Sequence, residues 1–202
     1  MLRIENLNKS FSKKLVLQID LLEFDRGIYW IKGENGSGKS TLLKCIAGIL
    51  SFRGEISLKN TSLKKSPQNY LKYVNYSDTE PVYPDFLSGM QLIKFFLECK
   101  NGNMEEVQGL INDFDMSNYI NHQPLSSYSS GMLKKLSLVL SFIGNPKVLL
   151  LDEPYITLDQ HAISVLNDRI VKQQSNGNSI ILTSHLNILP FPTTNINLSD
   201  CK

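Results

Sequence analysis

The chain of 202 residues is long enough for one α/β domain with a subdomain but too short for two full domains. Its formal net charge of +2 is too small to indicate a nucleic-acid-binding protein, and no apolar run approaches the about 18 residues that a membrane span requires. Three widely spaced cysteines without metal-ligand spacing fit reduced thiols in the cytoplasm. Three short lysine pairs predict solvated surface rather than a binding patch: Lys13-Lys14, Lys64-Lys65 and Lys134-Lys135.

The first third of the chain predicts strands and one helix. Residues 1–24 predict strands separated by a turn around residues 10–14. The segment Gly27–Lys32 predicts a short buried strand, and Ser40–Ile49 predicts a helix with one apolar face. Two further strands are predicted at Gly54–Leu58 and Tyr70–Tyr76.

Nine residues between the buried strand and the first helix satisfy the phosphate-loop pattern G-x-x-x-x-G-K-S/T: Gly33, Glu34, Asn35, Gly36, Ser37, Gly38, Lys39, Ser40 and Thr41. The glycines let successive amide N–H groups point at an anion, and the positive end of the helix adds to that field. We expect Lys39 to reach the β- and γ-phosphates and the Ser40 hydroxyl to ligate Mg²⁺. The loop therefore predicts a nucleoside triphosphate site.

The second half of the chain changes character twice. Residues from Leu87 to about Phe142 have helical periodicity, in three segments. Two apolar runs follow, Lys147–Asp152 and Ser179–His185, and such runs suit central parallel strands covered on both faces. A last short strand is predicted at residues 195–199. The sequence thus predicts a nucleotide-binding α/β core interrupted by a helical insertion.

Three polar residues stand where these apolar runs end. Ligands collect at the carboxyl ends of parallel strands, which is where Asp152, Glu153 and His185 are predicted to lie. Asp152 suits Mg²⁺ binding through water beside Ser40, and Glu153 suits polarising a water for attack on the γ-phosphate. His185 is the candidate for contacting the γ-phosphate and orienting that water. Taken alone, Asp152 and Glu153 also fit an ordinary strand end, and His185 also fits a buried core histidine.

The order of these features resembles the ATP-binding subunits of ABC transporters, and the resemblance covers nearly the whole chain. Gly33–Thr41 matches the Walker A motif, and Leu149–Glu153 matches Walker B with its catalytic glutamate. Tyr128–Met132 aligns with the Leu-Ser-Gly-Gly-Gln signature. The remaining matches are Asp159 in the D-loop, His185 at the switch histidine and Phe11 at the aromatic that stacks on adenine.

The resemblance implies a P-loop NTPase fold with a mostly parallel central sheet, an N-terminal antiparallel β portion and a helical subdomain. One domain spans residues 1–202, with a core at about 1–86 and 143–202 and the helical subdomain at about 87–142. The implied ligands are ATP and Mg²⁺, and ATP is expected to be hydrolysed in a head-to-tail homodimer or heterodimer. There the signature residues Ser129, Ser130 and Gly131 act on the nucleotide of the opposite subunit.

A separate transmembrane permease is the implied partner, so that the chain is expected in the cytoplasm, peripheral to the inner face of the cell membrane. The aromatic-rich segment Tyr83–Phe96 is predicted to meet that partner. No direct contact with nucleic acid is expected. The signature departs from the family pattern, because it begins with Tyr128 and lacks its first glycine and its glutamine. This form resembles exporters of the drug, lantibiotic and haem-export type more than importers.

The chain departs from the family pattern at two further places. Asp78 occupies the slot of a glutamine that touches Mg²⁺; an aspartate can still meet the metal, but it adds negative charge and cannot donate a hydrogen bond. Ile156-Thr157 replaces the small residues that usually precede Leu-Asp in the D-loop. This second change puts communication across the dimer in doubt, not nucleotide binding.

Three alternatives remain open at the level of the sequence. A soluble ABC-type ATPase acting on nucleic acid or ribosomes usually has two ATPase domains or a coiled-coil insertion, and neither is evident here. A GTPase switch is disfavoured because Asn8-Lys9-Ser10-Phe11 lacks the aspartate of the base-reading motif. A degenerate, non-hydrolysing subunit is disfavoured because Lys39, Glu153 and His185 are all present.

Overall fold

The computed structural model describes residues 1–12 and 14–198. Its strands are β1 (Leu2–Phe11), β2 (Lys14–Phe24), β3 (Gly27–Lys32), β4 (Arg53–Leu58), β5 (Thr61–Ser62), β6 (Val74–Ser77), β7 (Val148–Leu151), β8 (Ser179–Thr183) and β9 (Thr194–Asn197). Its helices are α1 (Lys39–Ile46), α2 (Pro67–Leu71), α3 (Gly89–Lys100), α4 (Met104–Asp113), α5 (Ser130–Phe142) and α6 (Gln160–Ser175).

The N-terminal strands form an antiparallel sheet with the strand order β2-β1-β4-β5. Strand β1 pairs with β2 on one side and with β4 on the other, both antiparallel. Its apolar residues Leu2, Ile4 and Leu7 are fully buried and form one face of the sheet. This sheet is the predicted antiparallel β portion. Its buried face belongs to one apolar cluster with Leu42 and Leu43 of α1.

The second sheet is parallel and has the strand order β6-β7-β8-β3-β9. Strands β7 and β8 are buried at every residue, which explains their unbroken apolar sequences. Because all five strands run in the same direction, the segments that follow β3, β6, β7 and β8 lie along one edge of the sheet. That edge carries the phosphate loop, Asp78, Asp152 and His185.

Helices α3, α4 and α5 form the predicted helical insertion, and each begins at a side-chain cap. Ser88 forms a capping box with Gln91 at α3, Asn103 caps α4 and Ser129 caps α5. Apolar residues of these helices share one buried cluster with strands of the parallel sheet, including Ile93, Ile111, Leu136, Leu149 and Leu151. The division into core and helical subdomain stays a prediction.

Two predicted boundaries are wrong. The segment Tyr70–Tyr76 is not one strand, because Pro67 opens the short helix α2, and β6 begins only at Val74. Buried Tyr70 belongs to that helix and donates its hydroxyl to the Ile46 carbonyl at 3.0 Å. The first helix ends at Ile46 rather than Ile49, and Gly48 has a φ of 72° just beyond it. The last predicted strand, residues 195–199, corresponds to β9, which ends at Asn197, and Ser199 lies outside the described residues.

Candidate functional site

The phosphate loop closes on itself through Lys39. The Lys39 Nζ atom donates to the carbonyl oxygens of Gly33 at 2.8 Å and Glu34 at 3.0 Å. Gly38 precedes α1 with a φ of 104°, and a Cβ atom there would lie 2.7 Å from the Leu17 side chain. The buried Ser37 hydroxyl in the same loop makes no hydrogen bond. A cradle that excludes a Cβ atom and leaves a buried hydroxyl unpaired fits an anionic ligand.

Asp152 is fully buried at the end of β7 and is held by hydroxyl groups from neighbouring elements. Its Oδ1 atom accepts from Thr183 Oγ1 at 2.7 Å and from Ser40 Oγ at 3.1 Å. Its Oδ2 atom has a longer contact of 3.4 Å with the Tyr76 hydroxyl. Carboxylate and hydroxyl oxygens are the hard ligands that Mg²⁺ prefers, so Ser40 and Asp152 fit such an ion.

Glu153 and His185 form the second half of the site. Glu153 has a φ of 43°, which is uncommon for a residue with a side chain, and its N–H donates to Thr183 Oγ1 at 2.9 Å. The His185 backbone N–H donates to Glu153 Oε2 at 3.1 Å, and His185 Nε2 lies 3.4 Å from Glu153 Oε1. Burial raises the pKa of Glu153 above its ordinary value, and nearby His185 partly opposes that rise.

These groups meet in one open cleft of about 300 Å³ at the edge of the parallel sheet. The cleft is lined by Val16, Asn35, Gly36, Gly38, Lys39, Ser40, Thr41, Thr79, Glu153, Ile156 and His185. The predicted phosphate loop and both predicted catalytic residues are therefore brought together by the fold. Buried Asp152 lies directly behind Ser40.

Phe11 and Asp78 are not among the residues that line this cleft. Phe11 ends β1 with 46% of its surface exposed, and Lys9 Nζ stands 4.8 Å from its ring centroid. Asp78 follows β6, and its Oδ2 atom forms an ion pair of 3.0 Å with Lys44 of α1. Its neighbour Thr79 lines the cleft. Adenine stacking by Phe11 and metal binding by Asp78 both stay predictions.

The signature and D-loop residues form a separate cluster where α5 and α6 begin. Exposed Ser129 caps α5 by accepting from the Met132 N–H at 3.2 Å, and Ser130 is the first helical residue. A Cβ atom on Gly131 would lie 2.8 Å from the carbonyl oxygen of Thr157 in the D-loop. Asp159 caps α6, and a hydrogen bond from Lys135 lowers its pKa.

The prediction of solvated surface for the lysine pairs is confirmed for Lys14, Lys64 and Lys65, whereas Lys13 lies outside the described residues. It is wrong for Lys134, which is fully buried, and the Lys135 side chain is only 13% exposed. Burial lowers the pKa of Lys134 to about 8, although Asp152, Asp78 and Glu153 oppose this change.

Two residues with evident structural roles at the site were missed at the level of the sequence. Lys134 precedes Ser137 by three residues and Leu138 by four, which places it on the buried face of α5. This spacing was the available signal. Thr183 holds both Asp152 and the Glu153 N–H through its hydroxyl. Its position at the carboxyl end of β8, directly after three apolar residues, was the corresponding signal.

The sequence matches the family described as ABC transporter over residues 21–156. It is 30% identical over 188 residues to the lantibiotic transport ATP-binding protein SrtF of Streptococcus pyogenes, covering 92% of this chain and 80% of that protein. It is 28% identical over 194 residues to the cytochrome c biogenesis ATP-binding export protein CcmA of Reclinomonas americana, covering 93% and 86% respectively. The chain belongs to the ABC transporter family and is one of its ATP-binding subunits.

Solved structures agree with this assignment. An ATP-binding subunit of an ABC transporter matches with a TM-score of 0.84 at 26% identity, covering 92% of this chain and 80% of the other. A dimeric ATP-binding cassette in a post-hydrolysis state, bound to ADP and Pi, matches in fold with a TM-score of 0.77 at 19% identity, covering 92% and 88%. The predicted α/β fold with a P-loop NTPase core is confirmed. Within residues 1–12 and 14–198, no helix is long and apolar enough to cross a membrane.

Proposed function

We propose that this chain hydrolyses ATP, with Mg²⁺ and as a head-to-tail dimer, to drive export through a separate membrane subunit. The observation that carries this proposal is the meeting of Lys39, Ser40, Glu153 and His185 in one cleft. An intact set of phosphate-binding and water-activating groups favours a working ATPase over a degenerate subunit.

The phosphate loop supplies the binding energy for the triphosphate. Its amide N–H groups and the first turn of α1 point at the β-phosphate, and Lys39 exchanges its bonds to the Gly33 and Glu34 carbonyls for phosphate oxygens. Ser40 and Asp152 would hold Mg²⁺, and the bound ion would neutralise phosphate charge. Thr183 keeps the Asp152 carboxylate in place for this task.

Glu153 is the general base for the attacking water, and His185 orients the γ-phosphate and that water. The backbone N–H of His185 fixes the Oε2 atom of Glu153. The buried Oε1 atom accepts no hydrogen bond and has only the 3.4 Å contact with His185 Nε2, so it is the oxygen that would accept the proton. A pKa raised by burial makes the carboxylate a stronger base. As Glu153 takes the proton, the water oxygen bonds to the γ-phosphorus. The bond between the γ-phosphorus and the oxygen that bridges it to the β-phosphate breaks, and ADP and phosphate are released.

A dimer supplies the groups that one chain cannot bring to its own nucleotide. Ser129, Ser130 and Gly131 stand at the start of α5 and are not among the residues lining the cleft within the described part of the chain. In a head-to-tail pair, this helix start faces the γ-phosphate of the opposite subunit. The dimeric post-hydrolysis structure of similar fold supports such an arrangement.

The membrane partner is proposed to dock on an apolar groove of about 740 Å³ between the core and the helical segment. Its lining includes Val82, 90% exposed, and Phe95, 59% exposed, together with Tyr83 and Phe96. Apolar side chains this exposed favour a protein partner. The transport and export names of the similar proteins support export, with this subunit in the cytoplasm at the inner face of the membrane.

Affinity capture of the tagged chain from detergent-solubilised native membranes tests the proposed partner. We expect a stoichiometric multi-span membrane protein to co-purify, and Phe95→Asp to reduce its recovery while ATP binding is retained. The matched control is Leu21→Asp, which adds the same charge at an exposed leucine of β2. Recovery of ribosomes or nucleic acid instead would favour the soluble ABC-type ATPase.

A further inference from the structure

Lys134 is a buried cation on the signature helix whose hydrogen bonds all reach other elements. Its Nζ atom donates to the carbonyl oxygens of Asp78 at 2.7 Å, Asp152 at 3.0 Å and Thr79 at 3.4 Å. An ammonium group has three N–H donors, so these carbonyls account for all of them. A fully buried lysine is rare unless its charge is compensated. The acceptors around Lys134 belong to the segments of Asp78 and Asp152, the predicted metal side of the site.

We infer that Lys134 is a positioning residue that fixes the two loops carrying Asp78 and Asp152 against the signature helix α5. The inference rests on the proposed function, since it assigns a purpose to Lys134 only if the site binds Mg²⁺ with ATP. Lys134 touches neither ligand; it acts through the backbone of the residues that are predicted to do so.

Other contacts support the same connection between α5 and the end of β6. Ser137, one turn after Lys134, exchanges a hydrogen bond of 2.9 Å with the Ser77 hydroxyl. On the other side, Lys44 of α1 holds the Asp78 carboxylate at 3.0 Å. The Asp78 segment is thus fixed by its carboxylate from α1 and by its carbonyl from α5. Movement of the signature helix would therefore move the Asp78 and Asp152 carbonyls with it.

A purely structural role for Lys134 is the competing explanation, and Lys100 supplies the matched control. Lys100 lies on α3, is partly buried, and donates its Nζ hydrogens to the Leu71 and Val74 carbonyls. These acceptors flank the start of β6, at the opposite end of that strand from Asp78. Replacing Lys100 removes a similar set of bonds to backbone carbonyls without disturbing the predicted metal side.

The test measures the affinity for a non-hydrolysable ATP analogue by calorimetry, with Mg²⁺ and with a chelator, in the wild type, Lys134→Met, Lys134→Gln and Lys100→Met. Both Lys134 variants remove the positive charge, but glutamine keeps two N–H donors, so their comparison isolates the hydrogen bonds. We expect the gain in affinity from Mg²⁺ to fall about tenfold in Lys134→Met and by less in Lys134→Gln. Metal-free affinity should change by less than about twofold, and Lys100→Met should keep the full gain.

An equal gain from Mg²⁺ in Lys134→Met and Lys100→Met would overturn the inference and leave Lys134 a structural residue. Thermal unfolding of each variant verifies that it folds. Should Lys134→Met not fold, Lys134→Gln is compared with Lys100→Met, and an undiminished gain in Lys134→Gln contradicts the inference in the same way. Failure of the wild-type chain to bind the analogue at all would instead contradict the proposed function.

Discussion

The Asp78 carboxylate lies 3.0 Å from the ammonium group of Lys44, which stands four residues after Ser40 on α1. The two side chains are 28% and 31% exposed, so the pair is screened from solvent on most sides. Lys44 offsets the negative charge that Asp78 introduces where related chains are expected to have glutamine. A metal bound by the Oδ2 atom of Asp78 would compete with this ion pair.

We expect Asp78→Gln to turn over ATP faster than the wild type at low Mg²⁺, because the amide needs no counter-ion and can donate a hydrogen bond. The measurement is the steady-state ATPase rate across a magnesium titration. Asp168→Asn, an exposed site on α6, is the control for loss of one negative charge. Equal rates of Asp78→Gln and wild type at every Mg²⁺ concentration would count against a metal role for Asp78.

Two helical glycines should respond oppositely to alanine. Gly109 of α4 has open space around an added Cβ atom, and Gly109→Ala should stabilise the protein by about 0.5–1 kcal/mol through helix propensity. An added Cβ on Gly131 would meet the Thr157 carbonyl at 2.8 Å, so Gly131→Ala should destabilise it by about 1 kcal/mol or more despite the same propensity. Urea unfolding of both variants measures these changes in the free energy of unfolding. Stabilisation by Gly131→Ala would show that the D-loop around Thr157 can move away at little cost.

The D-loop stores backbone strain at Thr157. Its φ of 66° is a left-handed conformation that β-branched residues rarely adopt, at a cost of about 1–3 kcal/mol. Thr157→Asn should raise the melting temperature by a few degrees, about 2–4 °C per kcal/mol, since asparagine tolerates this conformation. Thr157→Val keeps the β-branch and should give no increase. A lower melting temperature for Thr157→Asn than for the wild type would contradict the strain.

Lys134 should make the stability of the nucleotide-free protein depend on pH. Burial lowers its pKa from 10.5 to about 8, so the unfolded chain binds more protons than the folded chain between these values. The contribution of Lys134 to the free energy of unfolding therefore rises as pH increases from about 8 to about 10.5. Urea unfolding of the wild type and of Lys134→Met measures this contribution. The free energy of unfolding of the wild type should rise relative to that of Lys134→Met over that range. Parallel stability curves would contradict the lowered pKa.

Local patterns were sufficient for the elements that have one clear environment. The apolar runs ending at Asp152 and His185 suit central strands, and the phosphate loop was recognisable from its spacing between a predicted strand and a predicted helix. The stretch before Asp78 was misread because its tyrosines and valine have high β-propensity, whereas Pro67 starts a helix that Tyr70 anchors through a distant carbonyl. Tertiary contact overrode propensity there.

Most of the residues that line the cleft were proposed from the sequence, whereas the contacts that support them were not. Lys39 and Glu153 follow from motifs, whereas the Lys44–Asp78 pair and the Lys134 bonds join residues far apart in sequence. Lys134 in particular carries a charge that predicts exposure, and only the carbonyls of two other loops make its burial tolerable. No short-range pattern records such acceptors.

ATP hydrolysis by the purified chain, compared with Glu153→Gln, tests the central claim most directly. Both proteins should bind Mg·ATP with similar affinity, because the substitution leaves the phosphate loop intact. The wild type should hydrolyse ATP, whereas the variant should lose about 100-fold or more of the rate and accumulate as an ATP-bound dimer in size-exclusion chromatography. Unchanged hydrolysis in Glu153→Gln, or no ATP-dependent dimer in either protein, would contradict this account.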